Sequence, residues 1–517
     1  MKRFKISPWI AGLLILVSAL ATWFIINRFS PQDNKPVGGK GEALAKQYCA
    51  ACHLFPEPQL LDKQTWHDGV LPNMAMRLGI RKPGQDPFEG MDTAEIRLVR
   101  SLNVYPEQPM ISQTDWQQIV DYYTAKAPDL PLPQQPVAPI QSGLQQFQAQ
   151  PVYIGETPLP NTSLLKYDNR HGKLYVGDGK KELYIFNKDL SLASNWFMPS
   201  PPVDVDFSGD GPPRLLCIGS IAPTQQRNGN FFTFDPSGKS TGPSIRFDSL
   251  ARPVSVVSGD LNGDKKNDAL ICSFGNYTGR LSWFGAYDQH KEHVLLEQPG
   301  ARRAEITDMN NDGLPDVVAL MAQAREEIVL FLNQGKGQFG QKILYQFPSV
   351  YGVSYFELAD FNKDGHPDIL VTNGDNWDLS PIKKYYHGIR ILMNDGQNNF
   401  KESFFYPSYG AEKAVARDFD LDGDLDIAAI SFSDDLNKTE DGFLLLKNNG
   451  NMNFSAFSSP DAANGKWITM EADDLDKDGD DDIIIGSFIY NIGEMSKLIG
   501  KQVDRFPNFI VFWNKQK

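Results

Sequence analysis

Cysteine is scarce in this chain, with four in 517 residues. None precedes position 49, which excludes a lipid-modified cysteine near the N-terminus. Cys217 and Cys272 lie far from the other two, in apolar runs that read as strands, so no second cysteine pair is available to complete a zinc site. Basic residues are also short: 50 Lys and Arg stand against 64 Asp and Glu, a formal net charge of -14. Phosphate binding needs clustered Lys and Arg, so nucleic acid is excluded as a partner. Familiar catalytic signatures are missing too, with no Gly-x-Ser-x-Gly, no phosphate-binding loop and no dinucleotide fingerprint. With 41% apolar and 22% charged residues the chain is not disordered. Its length leaves room for about two to four domains.

What is present begins with an address. Lys2, Arg3 and Lys5 precede an apolar run from Ile6 to Ile26, which as a helix spans roughly 30 Å. Residues 1–28 are expected to form a transmembrane anchor, with the positive flank in the cytoplasm and the remainder on the extracytoplasmic, periplasmic side of a bacterial-type inner membrane. Ala19-Leu20-Ala21 offers a rival reading as a signal-peptide cleavage site, but the apolar run continues past it. Both readings export the chain. Residues 29–40 read as a linker, 41–127 as a helical section and 128–149 as a Pro- and Gln-rich linker. From 150 to 517, short apolar runs between Gly, Asn and Asp clusters read as all-β.

The helical section contains Cys49-Ala50-Ala51-Cys52-His53. Two thiols at this spacing reach the two vinyl groups of one haem, and the adjacent imidazole supplies the proximal iron ligand. A redox dithiol would leave His53 without a role, and no strand leads into the motif. Leu44 and Tyr48 share a helical face ending at the motif. Asp92 with Glu95 forms a capping-box pattern, and Ser112 opens a helix carrying Trp116, Ile119, Val120 and Tyr123 on one face. With its attachment motif and this aromatic last helix, the section resembles a small monohaem cytochrome c of class I type. A methionine thioether is the usual sixth ligand of such a haem. Met74 is the first candidate, then Met110 and Met76, while Met91 and the others are assigned to packing. His67 reads as a surface histidine.

The C-terminal section repeats. "DLNGDKKNDALI" starts at 260, "DMNNDGLPDVVA" at 308, "DFNKDGHPDILV" at 360, "DFDLDGDLDIAA" at 418 and "DLDKDGDDDIII" at 474. A degenerate copy starts at 206 and an eroded one at 168, giving intervals of 38, 54, 48, 52, 58 and 56 residues, each long enough for one four-stranded unit. The repeats resemble the FG-GAP/VCBS family, whose copies form blades of integrin-type propellers, and seven copies imply seven blades. The overall expectation is a multidomain chain: an N-terminal transmembrane helix, a small all-α cytochrome c domain and an all-β seven-bladed propeller.

The acidic loops carry a ligand logic of their own. Alternate oxygens at positions 1, 3, 5 and 9 suit a hard cation such as Ca²⁺. The candidate ligands are Asp308, Asn310, Asp312 and Asp316; Asp360, Asn362, Asp364 and Asp368; Asp418, Asp420, Asp422 and Asp426; and Asp474, Asp476, Asp478 and Asp482. Asp260, Asn262, Asp264 and Asp268 form a weaker set, because Lys265 replaces the glycine that the other four loops carry at position 6. The loop at 206, with Ser208 and Arg214 in ligand positions, is expected to bind nothing. The competing reading is a set of Asx-turns without metal.

Taken together, these features lead to a membrane-tethered carrier of one haem c and four to five Ca²⁺. It would exchange single electrons with a redox partner protein or respiratory complex, while the propeller docks a protein or an extracellular glycan. Two alternatives stay open: a dehydrogenase whose propeller holds the substrate, and an adhesion protein in which the haem is secondary.

Overall fold

The computed structural model describes residues 39–516, except 157–158, 237–245, 376–379, 433–438 and 491–504. Seven antiparallel sheets form a closed propeller. Their inner strands are Thr162–Asp168, Pro202–Asp206, Pro253–Gly259, Ala301–Thr307, Val353–Ala359, Ala411–Arg417 and Trp467–Asp473, which open blades 1 to 7. Every inner strand shifts register just after its first residue, as between Ala301 and Arg303 or between Thr162 and Leu164. This common bulge shows that the eroded copies at 168 and 206 are structural equivalents of the intact ones.

The apolar runs after the acidic loops become second strands, such as Asp316–Met321 and Asp482–Ser487, buried at every position. Each such strand is covered on both faces by neighbouring blades, so its sequence is a continuous apolar run rather than an alternating one. A separate apolar cluster fills each gap between blades; that between blades 7 and 1 contains Ile484, Phe509 and Val511 against Leu165 and Val176. The ring closes covalently distant ends in one sheet. Phe147–Val152 forms the outer strand of blade 7 against Phe509–Asn514, where Pro151 is tolerated because an outer strand has an unused edge. Just before it, Gln141–Ser142 runs parallel to the outer strand of blade 6.

The helical section corrects the expected fold class. It holds four short α-helices among the described residues: α1 (Lys40–Cys49), α2 (Leu71–Arg77), α3 (Thr93–Ser101) and α4 (Gln113–Lys126). They do not form a separate all-α cytochrome domain. Their apolar cluster, centred on Trp66, Ile119 and Tyr123, is completed by Val350 and Ile382 from the propeller. Glu95 accepts hydrogen bonds from Thr224 Oγ1 (2.7 Å) and Gln225 N (2.6 Å), and Gln134 Nε2 donates to His387 O at 2.8 Å. The physical reason is size: helices this short cannot bury enough apolar surface against one another.

No helix of the described residues is long and apolar enough to cross a membrane, and residues 1–28, where the anchor was expected, lie outside the described residues. The contacts also define a face. Acidic loops join first to second strands, whereas Thr224, Tyr277 and Ile382 lie between second and third strands. Antiparallel strands put these two kinds of loop at opposite ends, so the helices sit on the face opposite the acidic loops.

Candidate functional site

Cys49 is the last residue of α1, and Cys52 and His53 follow in the turn beyond it. That helix lies close against α4 because Gly41 has no side chain: a Cβ there would stand 2.4 Å from Gln118 O. Residues 56–62 are tied down beneath the turn. Tyr123 Oη donates to Pro56 O (2.9 Å), Trp66 Nε1 to Pro58 O (2.8 Å), and Thr65 Oγ1 to Asp62 Oδ2 (2.6 Å). Both cysteines are free. Burial pushes the Cys49 thiol up to about 11, with a hydrogen bond to Tyr123 acting the other way, while Cys52 is exposed.

His53 is half-buried, and burial lowers its pKa. Its Nδ1 lies 3.0 Å from Leu54 O. A carbonyl only accepts, so Nδ1 carries the proton and Nε2 keeps a lone pair for a metal. Met74 packs at the edge of the apolar cluster that also contains Cys49. Met76 is half-buried outside that cluster, and Met110 is 60% exposed. His67 is exposed and contacts Asp68 at 2.6 Å. Cys49 and Met74 on one apolar cluster, with the Cys52 thiol and an imidazole with an open nitrogen in the turn after Cys49, make a donor set that fits a covalently bound haem.

The acidic loops share a geometry. At position 1, Asp308 accepts the N–H groups of Asp312 (3.1 Å) and Gly313 (2.7 Å), and Asp360, Asp418 and Asp474 repeat the pattern. Gly313, Gly365, Gly423 and Gly479 all have positive φ, and so does Lys265 at the same place in the loop from 260. Position 9 has a different task. Asp316 accepts from Met309 N (2.9 Å) at the loop start and Asn333 N (2.7 Å) at the end of the third strand. Asp268, Asp368 and Asp482 likewise bridge two backbone N–H groups, and Asp426 accepts from Asn448 N. These five carboxylates face into the blades and clasp strand to loop. Burial pushes Asp426 and Asp482 up to about 7.

The oxygens at positions 1, 3 and 5 are arranged differently from loop to loop. Carboxylates converge within 4.8 Å in Asp418, Asp420 and Asp422 and again in Asp474, Asp476 and Asp478. In the loops at 308 and 360 the middle residue donates instead: Asn310 Nδ2 to Asp312 (2.9 Å) and Asn362 Nδ2 to Asp364 (2.8 Å). Lys447 Nζ pairs with Asp420. The loop at 474 adds Asp480, 3% exposed, neither of whose carboxylate oxygens has a hydrogen-bond partner. Buried carboxylate oxygens without a donor fit a cation. The degenerate loop carries its own cation, since Arg214 donates from Nε to Asp206 (2.8 Å) and from Nη2 to Ser208 Oγ (2.8 Å).

Residues 308–371 match the model of the FG-GAP-like repeat. The match runs from the acidic loop of blade 4 into the second strand of blade 5. Comparison with curated proteins gives no match. Among solved structures, the Neurospora crassa Pan2 WD40 domain is 10% identical, with a TM-score of 0.43, over 73% of this chain and 98% of that one. The BBS1N domain in complex with ARL6DN is 9% identical, with a TM-score of 0.42, over 71% of this chain and 96% of that one.

Sequence reasoning missed the residues that join helices to propeller. Arg77, Tyr105 and Tyr277 meet at that junction, where Tyr105 Oη and Tyr277 Oη are 2.7 Å apart. No pattern links positions so far apart in the chain. Cys217 and Cys272 are buried free thiols.

Proposed function

We propose that this protein is an exported one-electron carrier that holds one haem c on its helical section and uses the propeller as a cation-stabilised docking disc. Cys49 and Cys52 would form the thioether links, His53 the proximal ligand through Nε2, and Met74 the sixth ligand. The observation that carries this reading is Cys49 and Met74 packed against one apolar cluster, with Cys52 and His53 in the turn that follows Cys49. A haem bound there supplies one-electron redox chemistry.

The chain's own contributions are positional. Trp66 and Tyr123 fix the residue 56–58 segment through its carbonyls, and Leu54 O orients the imidazole. Oxygens of the acidic loops, foremost Asp474, Asp476, Asp478 and Asp480, would hold Ca²⁺. The partner is a redox protein that meets the helical section; a protein or glycan held by the propeller is compatible with the same arrangement.

The test is haem retention on a denaturing gel followed by reduction of the native protein. Wild type should keep haem through denaturation, and Cys49→Ala with Cys52→Ala should lose it. Reduction by membrane fractions from the source cell, but not by small alcohols or sugars, is expected. Reduction by such a small substrate alone would instead establish a dehydrogenase, and absence of covalent haem in the wild type would end the proposal.

A further inference from the structure

We propose that Arg77 sets the reduction potential of the haem-bearing section and that the propeller holds it in place through Tyr277. Arg77 is the last residue of α2 and lies one turn beyond Met74 on the same helix, so the two side chains are neighbours on one face. The position is thus beside Met74, one of the ligands of the proposed site. Among the described residues no carboxylate pairs with Arg77.

What Arg77 has instead is a clasp of two rings. Its guanidinium carbon is 5.9 Å from the centre of Tyr105 and 5.3 Å from that of Tyr277. The rings meet edge-to-face at 83°, and their hydroxyls share a hydrogen bond of 2.7 Å. Tyr277 belongs to blade 3 and is itself fixed. Its N–H donates to Gln225 Oε1 (2.9 Å), and Gln225 N–H donates to Glu95 Oε1 (2.6 Å) at the start of α3. A closed circuit of contacts therefore runs from helix to propeller and back. Each aromatic face adds a modest attraction for the cation, and together they restrict a long side chain that would otherwise sample open solvent.

The electrostatic consequence has a definite sign. A fixed positive charge beside the site disfavours the more positive, oxidised state of a bound haem, so it raises the potential. The propeller then tunes the electron carrier as well as docking its partner. This inference rests on the haem reading.

The experiment is an equilibrium redox titration of the full-length holoprotein, followed by absorbance, for wild type, Arg77→Gln, Arg77→Lys and Tyr277→Leu. At the wild-type midpoint, Arg77→Gln should lower the reduced-to-oxidised ratio about tenfold, a shift of about 59 mV for one electron. Arg77→Lys should keep most of the wild-type potential. Tyr277→Leu, which leaves the charge but frees it, should shift it in the same direction by a smaller amount. Covalent haem in all four proteins with one shared potential overturns this proposal alone. A wild type without covalent haem overturns the underlying reading and this proposal with it.

Discussion

Glu326 carries a carboxyl into an interior that offers it mainly backbone donors. It is 3% exposed, and it accepts Val353 N at 2.6 Å and Ala324 N at 3.2 Å. Burial pushes its pKa up to about 8, with Asp375 adding to the rise and Arg302 opposing it. The folded chain therefore binds a proton that the unfolded chain releases at lower pH. Stability from this group is present at acidic pH and is lost as pH rises from about 4.5 to about 8. Thermal melts across that range should show a decline of roughly 2–5 kcal/mol attributable to it, and Glu326→Gln should flatten the profile. An unchanged slope in Glu326→Gln would remove Glu326 as its source. Lys413, lowered to about 8 by burial, acts above that window and with the opposite sign. None of this was legible in the sequence, where Glu326 and Glu327 stand side by side like any exposed acidic pair. Ionisation depends on burial, and burial is set by residues far along the chain.

At the scale of the element, each acidic loop was visible because its turn restricts residue choice locally. The positive φ at position 6 favours glycine, and the alternating Asp and Asn at positions 1, 3 and 5 accept the turn's own N–H groups, as at 308–314. The clasp made by position 9 was less visible, because a carboxylate that ties two backbone N–H groups is written with the same letter as a metal ligand. Blade 2 illustrates the difference. Its Arg214 replaces that carboxylate, and its guanidinium, buried with Asp206, occupies the loop that a cation would fill elsewhere. Removing one partner of a buried pair leaves the other charge uncompensated, at a cost of about 3–5 kcal/mol. Arg214→Leu should lower the melting temperature accordingly, in calcium and in chelator alike. A loss seen only in chelator would mean that this loop binds calcium after all. Three of the four short helices were legible as helices, through the shared face of Leu44 and Tyr48, the Asp92–Glu95 capping box and the Ser112 cap; α2, Leu71–Arg77, was not. Their dependence on the propeller was not, since Val350 and Ile382 come from loops that no periodicity marks.

For the whole molecule, the repeat made the seven-bladed ring readable, but the manner of its closure came from structure. Phe147–Val152, which begins inside the segment that reads as linker (128–149), completes blade 7. The same blade contains the loop with the most unmet need for a cation, where Asp480 is buried without a hydrogen-bond partner. Asp482, the clasp of that loop, accepts Asn514 N from the closing sheet at 2.8 Å. Cation binding at 474–482 would thereby be coupled to the seam on which the ring depends. Calcium at about a hundred times its dissociation constant should stabilise the folded chain by about 2.7 kcal/mol per site. A chelator should reverse that gain, visible as a lower melting temperature at neutral pH. Asp474→Asn with Asp478→Asn should remove a larger share of the calcium response than Asp308→Asn with Asp312→Asn, because Asn310 already donates to one of the oxygens in that other loop. Equal shares would separate calcium from ring closure, and a melting temperature indifferent to chelator would leave the loops as turns without metal. The formal charge of -14 gives the remaining check. Each Ca²⁺ adds two positive charges, so a native mass spectrum taken with calcium should count the filled loops directly.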